Sequence, residues 1–388
     1  MRILFVSTHV NPLASPRDGD AQRTRLLLQA CTQIADVDLV TFAGPAEATM
    51  QRVRVVYDKY SRPTTARYDR VSKWTSVLPF TGLDAMFPVS KSVESKLDDI
   101  LISEDYDFIV SRYFSRTYSC GLWKYRKKLI IDFDDSIQSF FLNQIQPTST
   151  TSFRLRMYLA SKKVQCLSRK IVSGVHTAFF SDAQQARANK AIHLPNVPYY
   201  TESCGLQQFS DKNRRILFVG QLDYIPNREG VEHFLKEVYL PLSKRLPDME
   251  MHIVGSLHDE EVRKRWQEDF PRVTVTGFVD DLQSEYEQAH VVVVPIYKCG
   301  GTNIKLLEAM NMNRACVTTK NVVEKMGWKS GNKECFFAAE NDREFEQYVE
   351  KLLTDCDLNV KIAGQGRAFM AKYYSSDAFC QIFTDNVK

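Results

Sequence analysis

The chain has 388 residues, of which 44% are hydrophobic, 25% charged and 11% aromatic; the length predicts two or three domains, and the composition excludes disordered, collagen-like and disulfide-framework classes. No apolar run approaches the ~18–20 residues that cross a bilayer. The net charge of +4 conceals an asymmetry, since residues 1–200 hold 27 Lys and Arg against 18 Asp and Glu while residues 201–388 hold 24 against 29, and the first half is expected to face an anionic partner or surface.

Residues 2–8 read as a buried strand, whose Ile-Leu-Phe-Val at 3–6 recurs at 216–219. A basic residue, four apolar residues, a small-residue loop and a helix, occurring twice, predict two α/β domains that each open with a parallel strand. His9, Asn11 and Pro12 end the first apolar stretch too early for a signal peptide, so a cytoplasmic location is expected. His9 is a candidate for lining a ligand cleft, although a lone histidine equally serves structure. In the loop 17–23, Asp20 reads as a helix N-cap, Gly19 can let the backbone approach a phosphate, and Arg23, in the first turn, can reach an anionic group.

Further strands are predicted at 37–42, 108–111, 129–133 and 178–181. The 129–133 strand runs into three carboxylates at 132, 134 and 135. Asp134 or Asp135 can orient or deprotonate a hydroxyl; capping a helix is the competing role. Basic and aromatic residues concentrate at 59–87 and 153–170. In the second stretch Phe153, Met157, Ala160, Val164 and Leu167 recur at helical spacing with cations on the flanks. That suits either a helix packed in its domain or one resting on an anionic leaflet. The 196–213 stretch has neither a helical nor an alternating period, so the expected division is a first domain over 1–196, a linker over 197–213 and a second domain over 214–388, the last helix being a candidate for packing back on the first.

In the second half, strands at 215–220, 249–255, 272–276, 290–295 and 314–318 alternate with helices at 228–245, 259–268, 281–288 and 303–312, and helices at 342–353 and 358–373 close the chain. This alternation predicts a doubly wound parallel sheet, which binds ligands outside the carboxyl ends of its strands. Two such domains facing each other would form a cleft. The nine cysteines are odd in number and lack a C-x-x-C pair, so reduced thiols are expected and no metal site.

The most informative segment is 291–310. An apolar strand ends at Pro295, a Gly-Gly-Thr loop follows at 300–302, and a helix begins near Asn303 with Lys305 in its first turn. Glycines allow close backbone approach, unpaired N–H groups at a helix start donate to anionic oxygens, and Lys305 adds a full charge, so each part suits a phosphate. Glu308 lies on the same helical face as Lys305 and can accept two hydroxyl hydrogen bonds. The backbone of 277–281, with Phe278 and Val279, can border a nucleobase.

The order Phe-Val-Gly (218–220), Asp-Tyr-x-Pro-Asn (223–227), Ile-Val-Gly (253–255), Val-Thr-Gly-Phe-Val-Asp-Asp (275–281), Val-Pro-Ile (294–296) and Gly-Gly-Thr-x-Ile-Lys-x-Leu-Glu-Ala-Met (300–310) resembles the donor domain of GT-B retaining glycosyltransferases of the GT4 type. The resemblance implies an α/β fold of two Rossmann-like doubly wound domains facing a central cleft, with a nucleotide diphosphate sugar as co-substrate and no cofactor or metal. It implies that Lys305 and the helix start at Asn303 and Leu306 meet the diphosphate, Glu308 the ribose, and Gly300, Gly301 and Thr302 the phosphate or sugar, with Gly220 at the strand end. Three departures stand out. Gly300 occupies a place where many members carry Glu, Gln221 and Arg228 stand where Arg and Lys are frequent, and the N-terminal loop has the single glycine Gly19. The expected acceptor is a glycan or lipid-linked hydroxyl beside His9, Arg23, Asp134 and Asp135, with an anionic membrane surface as a candidate partner and surface polysaccharide or glycolipid assembly as the context. A sugar-nucleotide epimerase or hydrolase, or a non-catalytic sugar-nucleotide-binding subunit, are the competing readings. A nicotinamide dehydrogenase is disfavoured because no G-x-G-x-x-G follows either opening strand, and no nucleic-acid-binding module is recognisable.

Overall fold

The computed structural model describes residues 1–15, 19–45, 48–60, 82–134, 136–142, 145, 149–198, 214–297, 303–328 and 334–387. Most of the expected linker, Asp135 and residues 300–302 lie outside them. The chain divides into two compact units, Met1–Val197 together with Ser376–Lys388, and Pro198–Ser375. Among the described residues no helix is long and apolar enough to cross a membrane.

The first unit runs β1 (Arg2–Ser7), α1 (Gly19–Ile34), β2 (Asp36–Thr41), β3 (Val53–Tyr57), α2 (Lys91–Ser103), β4 (Phe108–Arg112), α3 (Phe114–Ser119), β5 (Leu129–Asp134), α4 (Ser139–Leu142), α5 (Thr151–Val172), β6 (Thr177–Phe180), α6 (Ala183–Asn189) and β7 (Ile192–His193). Its seven strands lie in the order β3-β2-β1-β4-β5-β6-β7, and the pairs are parallel. The continuous apolar run of β1 is buried on both faces, as crossover helices on both sides of a parallel sheet require. Ile3 and Phe5 share one core with Leu27 and Cys31 of α1 and with Phe379 and Phe383 near the C-terminus. Leu4 and Val6 point the other way, into a core with Leu97 of α2, Phe114 of α3 and Met157 and Val164 of α5.

The second unit runs β8 (Arg214–Val219), α7 (Ile225–Phe234), α8 (Leu240–Ser243), β9 (Met249–Val254), α9 (Glu260–Asp269), β10 (Val273–Gly277), α10 (Leu282–Gln288), β11 (Val291–Val294), α11 (Ile304–Asn311), β12 (Ala315–Thr319), α12 (Lys320–Lys325), β13 (Phe337–Ala339), α13 (Asp342–Thr354) and α14 (Cys356–Tyr373). Its parallel strands lie in the order β10-β9-β8-β11-β12-β13. The last helix, α15 (Ser376–Asp385), belongs to the first unit and packs on α1.

The predicted helix 228–245 differs in detail. It starts earlier, because Pro226 suits a first turn where no N–H is needed, and it is interrupted by a π turn at Leu235–Tyr239 just before Pro241. Pro241 lacks a donor and crowds the preceding turn, and the wider turn absorbs the mismatch. The sequence reading missed β3, β7 and β13, short strands toward the sheet margins; β3 and β7 bury too few residues to leave a hydrophobic pattern.

Candidate functional site

In each sheet the strand order reverses at one point, between β8 and β11 in the second unit and between β1 and β4 in the first. Such switch points are where doubly wound sheets bind ligands.

In the second unit, Gly220 follows β8 and its N–H donates to the Val254 carbonyl at 2.9 Å. The Lys305 side chain crosses directly over Gly220. A Cβ there would collide with Lys305 Cε and sit 3.2 Å from its Cδ, so the absence of a side chain is what admits the lysine. Gly255, with φ of +142°, brings its own strand end against the Gly220 carbonyl, where any side chain would clash. The Asn227 amide donates to the Gln221 carbonyl at 2.6 Å and fixes the loop after β8. Gly230 of α7 packs on the Pro295 carbonyl at the end of β11. Three glycines thus let β8, β9, α7 and the residues after β11 converge on one small region.

Lys305 and Glu308 come from α11. Asn303, the residue before it, is buried, and among the described residues it makes no side-chain capping bond and its Oδ1 has no partner. The first N–H groups of any α-helix have no intrahelical acceptor and attract an anion. Burial pushes the Glu308 carboxyl up to about 7, against the pull of the Lys305 ammonium, which favours the ionised form. A carboxyl held there changes charge near neutrality and waits for hydrogen-bond donors.

The other expected donor-side residues are less closely gathered. Leu306 is fully buried in the core, so only its backbone remains for a ligand. Gln221 is exposed. Arg228 Nη1 lies 3.7 Å from the Asp259 carboxylate at the start of α9, a loose pair. Phe278 is 83% exposed just beyond β10, two strands from β8, while Val279 is half-buried against the core. Gly300, Gly301 and Thr302 lie outside the described residues.

The switch point of the first unit holds a buried charge network centred on Arg112, the last residue of β4. Its guanidinium donates to Asp132 at 2.9 Å, Asp134 at 2.9 Å, Thr24 at 2.6 Å and both the backbone and the carboxylate of Asp20. The Tyr113 hydroxyl shares its one proton between the carboxylates of Asp20 at 2.8 Å and Asp134 at 3.1 Å, bridging the two. Tyr113 and Asp134 both stand at positive φ, 60° and 57°. Such backbone costs energy for a side-chain-bearing residue and persists only where its surroundings over-determine it.

Here the structure corrects two expectations. Asp20 is no N-cap; it lies inside the first turn of α1, and His9, Arg112 and Tyr113 hold its carboxyl well below the usual range despite burial. Arg23 does not reach out to an anion. It is buried, grips Asp132 with two bonds of 2.8 and 2.7 Å, and donates to Asn196 Oδ1 at 2.8 Å. His9 Nε2 lies 2.7 Å from Asp20 Oδ2, and burial lowers the imidazole pKa, keeping the ring neutral at pH 7. Among the described residues a Cβ on Gly19 would meet nothing within 4 Å. Asp135 lies outside the described residues.

Arg112 and Tyr113 escaped the sequence reading, and Asp132 entered it only as one of three carboxylates at a strand end, yet a signal existed. An arginine closing Phe-Ile-Val-Ser-Arg and an aspartate inside Ile-Ile-Asp-Phe place charges in strands whose neighbours are buried, and a buried charge needs a partner.

Comparison with known proteins adds a second line of evidence. Residues 213–355 match the family described as glycosyl transferases group 1. An uncharacterized 44.6 kDa protein in the cps region of Klebsiella pneumoniae is 21% identical over 318 residues, 79% of this chain and 81% of that protein. Sucrose-phosphate synthase from Thermosynechococcus elongatus superposes with a TM-score of 0.64 at 14% identity, over 99% of this chain and 97% of that one. The E. coli trehalose-6-phosphate structure bound with UDP-2-fluoro glucose gives 0.63 at 11%, over 100% and 99%. The two doubly wound units thus have the GT-B architecture, and residues 213–355 match the glycosyl transferases group 1 family.

Proposed function

We propose that the protein transfers a glycosyl group from a nucleoside diphosphate sugar to a hydroxyl of a glycan or lipid-linked acceptor, with retention at the anomeric carbon, in surface polysaccharide assembly. The carrying observation is Lys305 laid across Gly220 beside the start of α11, with Glu308 on the same helix. Breaking the glycosidic bond leaves negative charge on the departing diphosphate. Lys305 and the helix N-terminus offer fixed positive charge to stabilise it as it develops, a role that a divalent ion fills in other enzymes. Glu308 suits the ribose, because two hydroxyl donors would compensate the burial of its carboxylate.

On the acceptor side, His9, Asp20, Tyr113 and Asp134 are candidates for orienting the incoming hydroxyl, held in place by Arg112. The polysaccharide context rests on the relative in the Klebsiella cps region, and uridine as the base to try first rests on the neighbour bound with UDP-2-fluoro glucose.

The test is calorimetric titration with UDP, GDP, dTDP and their sugars, and thermal melting in their presence. A ligand at about 100 times its Kd stabilises by about 2.7 kcal/mol. Binding by the wild type that is lost in Lys305→Ala supports the donor assignment, and no response to any nucleotide removes it. Retention is read from the anomeric configuration of the product by NMR.

A further inference from the structure

Helix α5 spends its stripe of Met157, Ala160, Val164 and Ile171 on the core against β5 and β6, with Phe153 and Leu167 packed at its margin. The apolar periodicity visible in the sequence therefore faces the sheet. Beside that stripe, Gln165 and Arg169 stand one helical turn apart, and on α6 Gln185 and Asn189 repeat the spacing. The two rows, together with Gln138 from the turn after β5, line a cavity of about 390 Å³ against Phe180, the last residue of β6. That size suits a small ligand, whose sites run from about 300 to 1,000 Å³. Its Ser136 wall is two residues beyond Asp134, and Ser181, next to Phe180, donates both its N–H and its hydroxyl to the Asp134 carbonyl at 2.8 Å. The cavity thus adjoins the acceptor-side cluster.

The lining is polar and carries no acid. No Asp or Glu occurs between Asp135 and Asp182, and none lines the cavity. Arg169 Nε donates to the Ala188 carbonyl at 3.0 Å, which ties the guanidinium to α6 and leaves its Nη1–Nη2 edge without a carboxylate among the described residues. That edge matches a carboxylate with two parallel hydrogen bonds. Around it the amides are partly fixed. Asn189 Nδ2 donates to the Gln185 carbonyl at 2.9 Å, and Gln165 Oε1 accepts from Lys162 at 3.4 Å, so Asn189 Oδ1 and Gln165 Nε2 remain for a ligand. The side-chain amides of Gln138 and Gln185 make no hydrogen bond among the described residues. Amides offer donors and acceptors together, as sugar hydroxyls require. An apolar ligand would desolvate these groups without pairing them, whereas a saccharide with one carboxylate satisfies guanidinium and amides at once.

We propose that the cavity between α5 and α6 is a subsite for an acidic saccharide, with the carboxylate of a uronic acid residue on Arg169 and hydroxyls on Gln165, Gln185 and Asn189. The proposal rests on the acceptor reading above in taking the ligand to be a glycan, and it names the class of that glycan.

Cys166, an exposed thiol, lines the cavity, and Cys356, exposed at the start of α14 in the second unit, serves as reference. The test follows alkylation of both thiols by iodoacetamide in the full chain, read by peptide mass spectrometry with no sugar donor present. Hyaluronan tetrasaccharide or trigalacturonate should slow labelling of Cys166 saturably and leave Cys356 unchanged. Arg169→Gln should raise the half-protecting concentration by about tenfold, and Gln185→Leu, which keeps the guanidinium, should raise it too. Each variant is compared with its own rate without saccharide, and melting curves confirm that it is folded. No protection by either acidic oligosaccharide overturns the proposal, as does equal protection by chitotetraose or by inorganic phosphate, or protection that neither variant changes. Nucleotide calorimetry reports separately on sugar transfer. Nucleotide binding without protection of Cys166 removes the subsite alone, and protection without nucleotide binding keeps the subsite and removes the transfer reading.

Discussion

Replacing Glu308 by glutamine should stabilise the ligand-free protein, with a pH dependence that the buried carboxyl dictates. Its folded pKa is raised from the usual 4.5 to about 7. A raised acid favours folding while protonated, so that contribution is intact below pH 4.5 and is lost as pH rises through 7. Keeping the group ionised at pH 8 costs the folded protein about 3 kcal/mol, at 1.36 kcal/mol for each unit between the two values. At pH 5.5, where the folded group is almost wholly protonated, the same linkage leaves roughly 1.4 kcal/mol. Glutamine keeps the shape and cannot ionise, so Glu308→Gln should gain about 3 kcal/mol at pH 8 and about half of that at pH 5.5. For a unit of this size the larger value corresponds to roughly 6–12 °C in Tm. The assay is urea and thermal unfolding of both proteins at the two pH values, with and without UDP. UDP should protect the wild type more than the variant, because glutamine replaces the ionised acceptor of the ribose hydroxyls with a neutral one. A variant no more stable than wild type at pH 8, or a gain independent of pH, would refute the argument. It would mean that some other group compensates the buried carboxylate.

Two further outcomes follow from the geometry. Gly220→Ala drives a methyl group into the Lys305 side chain, so nucleotide affinity should fall by at least about tenfold while far-ultraviolet circular dichroism stays native, checked by calorimetry. Arg112→Met strips the shared partner from Asp20, Asp132 and Asp134. Asp132 keeps Arg23, and Asp20 and Asp134 keep Tyr113, but three carboxylates then share one buried guanidinium instead of two, which should cost about 3 kcal/mol, read as a lower urea midpoint, with part of the loss recovered on mild acidification.

The strands that build both sheets announced themselves as short, wholly apolar runs, because a parallel strand covered on both faces has no polar side to show. Val291–Val294, closed by Pro295, and Ile3–Val6, closed by His9, Asn11 and Pro12, read as strands from their composition and length alone. Marginal elements such as β3 and β7 were invisible for the complementary reason. In the second unit, Asn303, Lys305 and Glu308 follow one another in a recognisable order, since one strand, loop and helix carry them in local sequence, and Gly220 follows a strand of its own. The acceptor-side cluster is different. Its members, His9, Asp20, Arg112, Tyr113, Asp132 and Asp134, come from four separate segments, and no local spacing encodes their meeting.

The sequence by itself determined the alternation of strand and helix, the two-domain α/β architecture and the group 1 motif, because hydrophobic period and local turn chemistry are properties of neighbouring residues. Tertiary structure alone decided how charges pair and which helical faces stay free. It turned Arg23 inward to Asp132 and made Arg112 the centre of a network. It also consumed one stripe of α5 in the core and left the other open. Those outcomes depend on burial and on contacts between residues far apart in the chain, 173 positions for Arg23 and Asn196, where the energy of a charge is set by what surrounds it rather than by what precedes it in the chain.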